Sequence, residues 1–248
     1  MKLFSTIQIN SHTNHTYVQS VHNANMHFIT PLGLYRLQAE SLRGNEYSQC
    51  FVTGEDLIYH FPMSREAHAP QGLVQWIAEY GIPAQIHTDN AKIETLGEWK
   101  RIASFHWITT TTTEPYSPWQ NRAEREIKEA KRHANFIMDE ANVPRKLWDY
   151  PVEYVCDLRN HTARKRLNYR TPIEVATGDT PDISHLLEFN FYEPVYYLNP
   201  VSFPESQEIM GRWLGPAKNV GQALTYWILT EKGTIIARST VSPARYKT

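Results

Sequence analysis

Between His87 and Lys131 the chain places two carboxylates at the ends of regular elements. His87-Thr88-Asp89-Asn90 closes a short strand pattern that begins at Gln85. Thr113 to Asn121 is a loop interrupted by Pro115 and Pro118. Beyond it Ala123, Ile127, Ala130, Ala134 and Ile137 recur as one apolar stripe, the mark of an amphipathic helix. Glu124 opens that helix, and Lys128 and Lys131 follow on it. Asp89 and Glu124 are 35 positions apart, one at a strand end and one in a first helical turn. Hard oxygen ligands on rigid elements suit Mg²⁺ or Mn²⁺, so the pair is half of a divalent-metal site for phosphoryl transfer. The other half, a carboxylate from an earlier strand, is missing, because the first aspartate is Asp56, in a hairpin. Taken alone, Glu124 and Lys128 also read as a helix-surface pair worth about 0.2–0.5 kcal/mol. Asp89 also reads as a local cap on the segment after it.

Charge distribution says more than net charge. The chain of 248 residues carries a formal −1, which does not describe a uniformly basic nucleic-acid binder. Residues 159–170 nevertheless hold five cations (Arg159, Arg164, Lys165, Arg166 and Arg170) and no acid. Residues 211–248 hold six Lys or Arg against Glu231 alone. Such patches attract phosphate backbones, although a solvated surface reads the same way. Cys50 and Cys156 stand apart, which excludes a cysteine-based zinc set and a disulfide framework and suits a reducing compartment, nucleus or cytoplasm. No apolar run is long enough for a membrane span, and no signal peptide is expected.

The remaining pattern alternates strands and helices up to about Phe189, which argues an α/β core. Residues 1–27 are polar and read as a weakly ordered lead. Residues 28–37 resemble a strand interrupted by Pro31 and Gly33. Tyr47 to Val52 and Leu57 to Phe61 flank a hairpin turn at Thr53-Gly54-Glu55-Asp56. Leu73, Trp76, Ile77 and Tyr80 predict a helix that stops at Gly81-Ile82-Pro83. Residues 95–105 predict a helix and Trp107–Thr112 a strand. Val143-Pro144 predicts a helix with proline in its first turn, and Thr171-Pro172-Ile173-Glu174 is a capping box. After the core, Val195–Leu198, Trp213–Leu214, Ala223–Leu229 and Thr234–Arg238 predict a small β-barrel. The expected organisation is therefore a lead at 1–27, a core at 28–189 and a barrel at 190–248.

Taken in order, these motifs resemble the integrases of retroviruses and LTR retrotransposons, over roughly residues 40–190 and more weakly in the barrel. The carrying residues are Gly81-Ile82-Pro83, His87-Thr88-Asp89-Asn90, Glu114-Pro115-Tyr116-Ser117-Pro118, Asn121 with Glu124, and Thr171-Pro172 with Glu174, Gly178 and Pro181-Asp182. The resemblance implies a ribonuclease-H-like fold, a five-stranded mixed sheet flanked by helices, followed by an SH3-like barrel. It implies DNA integration by strand transfer, two Mg²⁺ or Mn²⁺ ions held by three carboxylates, DNA as partner, a homo-oligomer and origin in a polyprotein. Asp89 and Glu124 would be the second and third carboxylates. Asn121, Lys128 and Lys131 would face DNA, helped by Arg164, Lys165 and Arg166.

The chain departs from the family in three places. Asn121-Arg122-Ala123-Glu124 is one residue shorter than the usual motif and lacks its glycine, and Ala91 replaces a common glycine. The first catalytic aspartate is expected between residues 30 and 40, near Gly33, where only Glu40 is acidic. An impaired strand transferase and a decayed or domesticated DNA-binding remnant or scaffold are both compatible with that loss.

Overall fold

Residues Tyr47–Thr53 form the strand around which the larger layer assembles, because six of its seven residues are buried. In the computed structural model, which describes residues 27–29, 35–36, 40–88, 97–112, 122–199, 207–218, 220–221 and 224–244, this strand belongs to a mixed sheet. Its members are β1 (His27–Ile29), β2 (Tyr35–Arg36), β3 (Tyr47–Thr53), β4 (Ile58–Met63), β5 (Gln85–Thr88) and β6 (Thr109–Thr112). The expected interrupted strand is present as two pieces. β1 pairs with Val52 and Thr53 and β2 with Tyr47 and Ser48, so the two lie end to end along one edge of β3. β4 takes the other edge. Counting the two pieces as one, the sheet has five strands ordered β4, β3, β1/β2, β5, β6. Only β3 runs against β1, while β1, β5 and β6 are parallel. The five-stranded mixed sheet that the resemblance implies is thus present.

Alternation along β3 sends successive side chains to opposite faces. Phe51 meets Trp76 and Trp99, with ring centroids 5.8 and 6.2 Å away, on the face covered by α1 (Ala69–Tyr80) and α2 (Gly97–Phe105). α1 comes close because Gly72 carries no side chain: a Cβ there would lie 2.7 Å from Phe61 Cδ1. α1 ends at Gly81 with φ 89°, as the sequence predicts. Val52 and Ile58 pack on the opposite face against Ala130 and Ala134 of α3 (Arg122–Glu140) and Val155 of α4 (Asp149–Asn160). Asn160 closes the free edge of β4, accepting from the Ile58 N–H at 2.8 Å and donating to its carbonyl at 2.7 Å.

Several element boundaries differ from the sequence reading. β6 begins at Thr109 rather than Trp107, because Trp107 takes φ 57° and the Ile108 N–H bonds to the Ala103 carbonyl, extending the helix end. Pro144 precedes a 3-10 turn, Arg145–Leu147, instead of sitting in the first turn of α4. Trp213–Leu214 lies within a nine-residue strand, and the strand expected at Ala223 starts at Tyr226. The capping box is present as predicted: Thr171 and Glu174 cap α5 (Pro172–Thr177), which stops at Gly178 with φ 86°.

After α6 (Ser184–Leu187), the chain forms a five-stranded antiparallel sheet of the small-barrel kind. Its strands are β7 (Pro194–Leu198), β8 (Glu208–Pro216), β9 (Tyr226–Thr230), β10 (Ile235–Arg238) and β11 (Val241–Pro243), ordered β10, β9, β8, β7, β11. One aromatic cluster joins this sheet to the core. Tyr154 of α4 meets Trp213 edge-on at 5.4 Å and Phe191 at 5.3 Å. No described helix is long and apolar enough to cross a membrane.

Candidate functional site

The parallel strands β1 and β5 set the frame for the expected carboxylate site. Their register puts Ile29 beside His87 and Phe28 beside Ile86. β5 ends at buried Thr88, which is paired with Thr112 of β6. His87 Nδ1 lies 2.9 Å from the Thr111 hydroxyl, which also accepts from Gln85 Nε2 at 3.1 Å, so the imidazole ties two strands together. Asp89, Asn121 and Gly33 lie outside the described residues.

Glu124 is exposed in the first turn of α3. There the unpaired helix amides favour a negative charge. Lys128 is exposed one turn on. Lys131 is turned inward, over Cys50, beside a cavity of about 110 Å³ that Ile127, Ala134 and Met138 also line. Burial holds the Lys131 ammonium down to about 8, against the pull of nearby Cys50. The two lysines, one turn apart in sequence, therefore have different surroundings: solvent for Lys128, the β3 surface for Lys131.

No Asp or Glu precedes Glu40 anywhere in the chain. Glu40 is exposed and follows β2, at the start of a turn in which the Ser41 N–H bonds to the Asn45 carbonyl. Asp56 sits at the tip joining β3 to β4, as the sequence indicates, 3% exposed and at φ 66°. Its Oδ2 accepts from Arg166 at 2.9 Å and lies 3.3 Å from Arg164.

Glu126, which the sequence reading passed over, is the second anchor of this cluster. It is 4% exposed on α3, takes Arg164 at 3.1 Å and pairs with Arg159. Arg170 pairs with Glu174 at 3.1 Å. Four of the five cations in 159–170 thus hold acids of the fold, and Lys165 is exposed with no acidic partner among the described residues. The signal available for Glu126 was its position four residues before Ala130, inside the apolar stripe. A charge there needs a partner, and the arginine run supplies it.

No protein-family description matches the sequence, and no curated protein matches it. In three dimensions the chain is similar to a chain of the simian T-cell lymphotropic virus intasome in complex with PP2A regulatory subunit B56 gamma. That likeness covers 90% of this chain and 80% of the other, at 18% identity and a TM-score of 0.51. The fold is that of an integrase. The HTLV-2 integrase catalytic core domain in complex with magnesium is also similar, over 61% of this chain and 96% of the other, at 16% identity and a TM-score of 0.47. At such identities the likeness shows the integrase-like fold, and residue roles rest on this chain's own side chains.

Proposed function

We propose that this chain is an integrase-like, nucleic-acid-binding protein of retrotransposon polyprotein origin whose strand-transfer chemistry is impaired. The observation that carries the reading is an integrase fold without any acid before Glu40. Two ions held about 3.5–4 Å apart need a carboxylate that anchors both. As proposed ligands, Asp89 and Glu124 supply two of the three carboxylates that a pair of Mg²⁺ or Mn²⁺ ions would need, so the site is incomplete. Among the described residues no group of three His, Cys, Asp or Glu is arranged to hold a metal.

DNA remains the proposed partner. Lys128 and Lys165 offer exposed charge, and Arg166 is half exposed at 50% although paired to Asp56. Asn121 is the further proposed contact, while Lys131, turned toward the sheet, and Arg164, held by Asp56 and Glu126, are the two of the expected set that face the fold. A homo-oligomer, in the nucleus or the cytoplasm where the buried thiols of Cys50 and Cys156 stay reduced, completes the reading. Neutralising phosphates releases counterions, so binding should be indifferent to sequence and weaken steeply with salt. Filter binding of duplex DNA over a salt series tests this. The reading expects tight retention at low salt, loss as salt rises, and a shallower slope for Lys128→Gln with Lys165→Gln. Absent binding at low salt, or a flat series, contradicts it.

A further inference from the structure

α3 and α4 lie antiparallel, with Glu126 at the start of one meeting Arg159 at the end of the other. Between them, toward the β3–β4 tip, runs a groove of about 730 Å³. Its floor is apolar, made by Phe136 and Ile137 of α3 and Val155 and Leu158 of α4. Phe136 is 65% exposed, a large aromatic ring left in water beside a concave apolar surface. The rim is basic: Arg125, Arg159, Arg164, Lys165 and Arg166 line the groove against Asp56 and Glu126. Both acids are buried beneath the arginines they hold, so the excess positive charge faces the opening. Arg125 is 69% exposed and 3.6 Å from Glu126, free to swing its outer nitrogens toward a ligand.

We propose that this groove binds an acidic peptide segment bearing a large apolar side chain, presented as an amphipathic helix. Three physical points select that occupant. A groove between antiparallel helices accepts a third helix, whose apolar side chains fill the space that ridges leave. An exposed aromatic ring with an apolar floor, ringed by arginine, has the composition of a binding hot spot. The rim forks match carboxylates bidentately, and the charge excess is positive, so the complementary partner is acidic. Duplex DNA would answer the charge but leave the apolar floor and Phe136 in water. The groove shares Arg164, Lys165 and Arg166 with the proposed DNA contacts, so its apolar floor and Phe136, which DNA leaves unused, separate the two readings.

The test uses the whole chain to pan a random library of peptides about twelve residues long, roughly three helical turns. The enriched sequences should combine Asp or Glu with Leu, Phe or Trp. Fluorescence anisotropy then measures the most enriched peptide. Phe136→Glu and, separately, Arg125→Glu should each weaken it by about tenfold or more, because they remove an anchor and reverse a rim charge. Both sites are exposed, so the thermal melt should not move. Changing the peptide's acids to Gln should weaken it similarly, and Phe136→Ala should weaken the peptide while leaving filter retention of duplex DNA unchanged. No enrichment, enrichment without acids or without apolar anchors, or binding indifferent to both variants would overturn the proposal. Loss of duplex DNA retention in Phe136→Ala would also overturn it, assigning the apolar floor to nucleic acid. So would self-association of the chain that disappears in Phe136→Glu, which assigns it to a second copy.

Discussion

At the scale of single residues, burial decides which charges do structural work and which are available. Glu126 holds Arg159 and Arg164, whose side chains are only 16% and 20% exposed. Glu126→Ala would leave the poorly solvated Arg159 guanidinium without its carboxylate and Arg164 with Asp56 alone, which costs about 3–5 kcal/mol. Urea denaturation should report that loss, whereas Arg125→Ala, on the exposed rim, should cost under about 1 kcal/mol. A loss for Glu126→Ala no larger than for Arg125→Ala would show that the cluster is solvated. Lys131 makes the opposite case. Its folded-state value is depressed from 10.5 to about 8, so between those values the unfolded chain binds more protons. Stability from this group therefore rises with pH across that window, and near neutrality the partly buried cation is a cost. Lys131→Met is expected to raise stability near pH 7 by about 1 kcal/mol, discounted for partial exposure, with the gain fading above about pH 10. A destabilised variant near pH 7 would mean that the ammonium makes contacts worth more than its desolvation.

Among elements, what was legible in the sequence is what repeats or caps. The α1 stripe with its glycine stop, the α3 stripe and the Thr171 capping box stand where the pattern put them, because periodicity and caps are local signals. The length of β8 was hidden: Glu208, Met210 and Arg212 alternate with partners whose burial depends on β7 and β9, and no local rule announces that. Gly211 marks the seam. A Cβ there would lie 2.5 Å from Ile228 Cγ2 and 2.8 Å from the Leu229 carbonyl oxygen. Gly211→Ala should therefore push β8 from β9 and cost about 1–3 kcal/mol, as overpacking does. Tryptophan fluorescence during denaturation reads this through buried Trp213. An unchanged midpoint would show that the seam yields. Of the expected site, Glu124 and Lys128 stand exposed on α3, and Lys131 is turned inward. Sequence could not separate the two lysines, because helical spacing does not say which neighbouring strand a side chain covers.

For the whole molecule, the core and the barrel share one aromatic cluster and a few partly exposed charge contacts. Arg43 stacks 3.6 Å over the Tyr150 ring, lies 5.8 Å from that of Trp227 in the barrel, and pairs with Glu153 at 3.5 Å. Lys218, just after β8, reaches Asp157 of α4 at 2.5 Å. Among the described residues the integrase-like fold is present as a scaffold, with β1 and β5 parallel and α3 packed on the sheet. What the chain lacks is an acid before Glu40. On the proposed function, this scaffold persists without efficient strand transfer. The most direct measurement is strand transfer from blunt DNA ends by the full chain, with Mg²⁺ or with Mn²⁺, beside Asp89→Asn and Glu124→Gln. The account predicts near-background product from all three proteins. Robust product from the unmodified chain, abolished by Asp89→Asn, would contradict it and would mean that another residue supplies the first carboxylate.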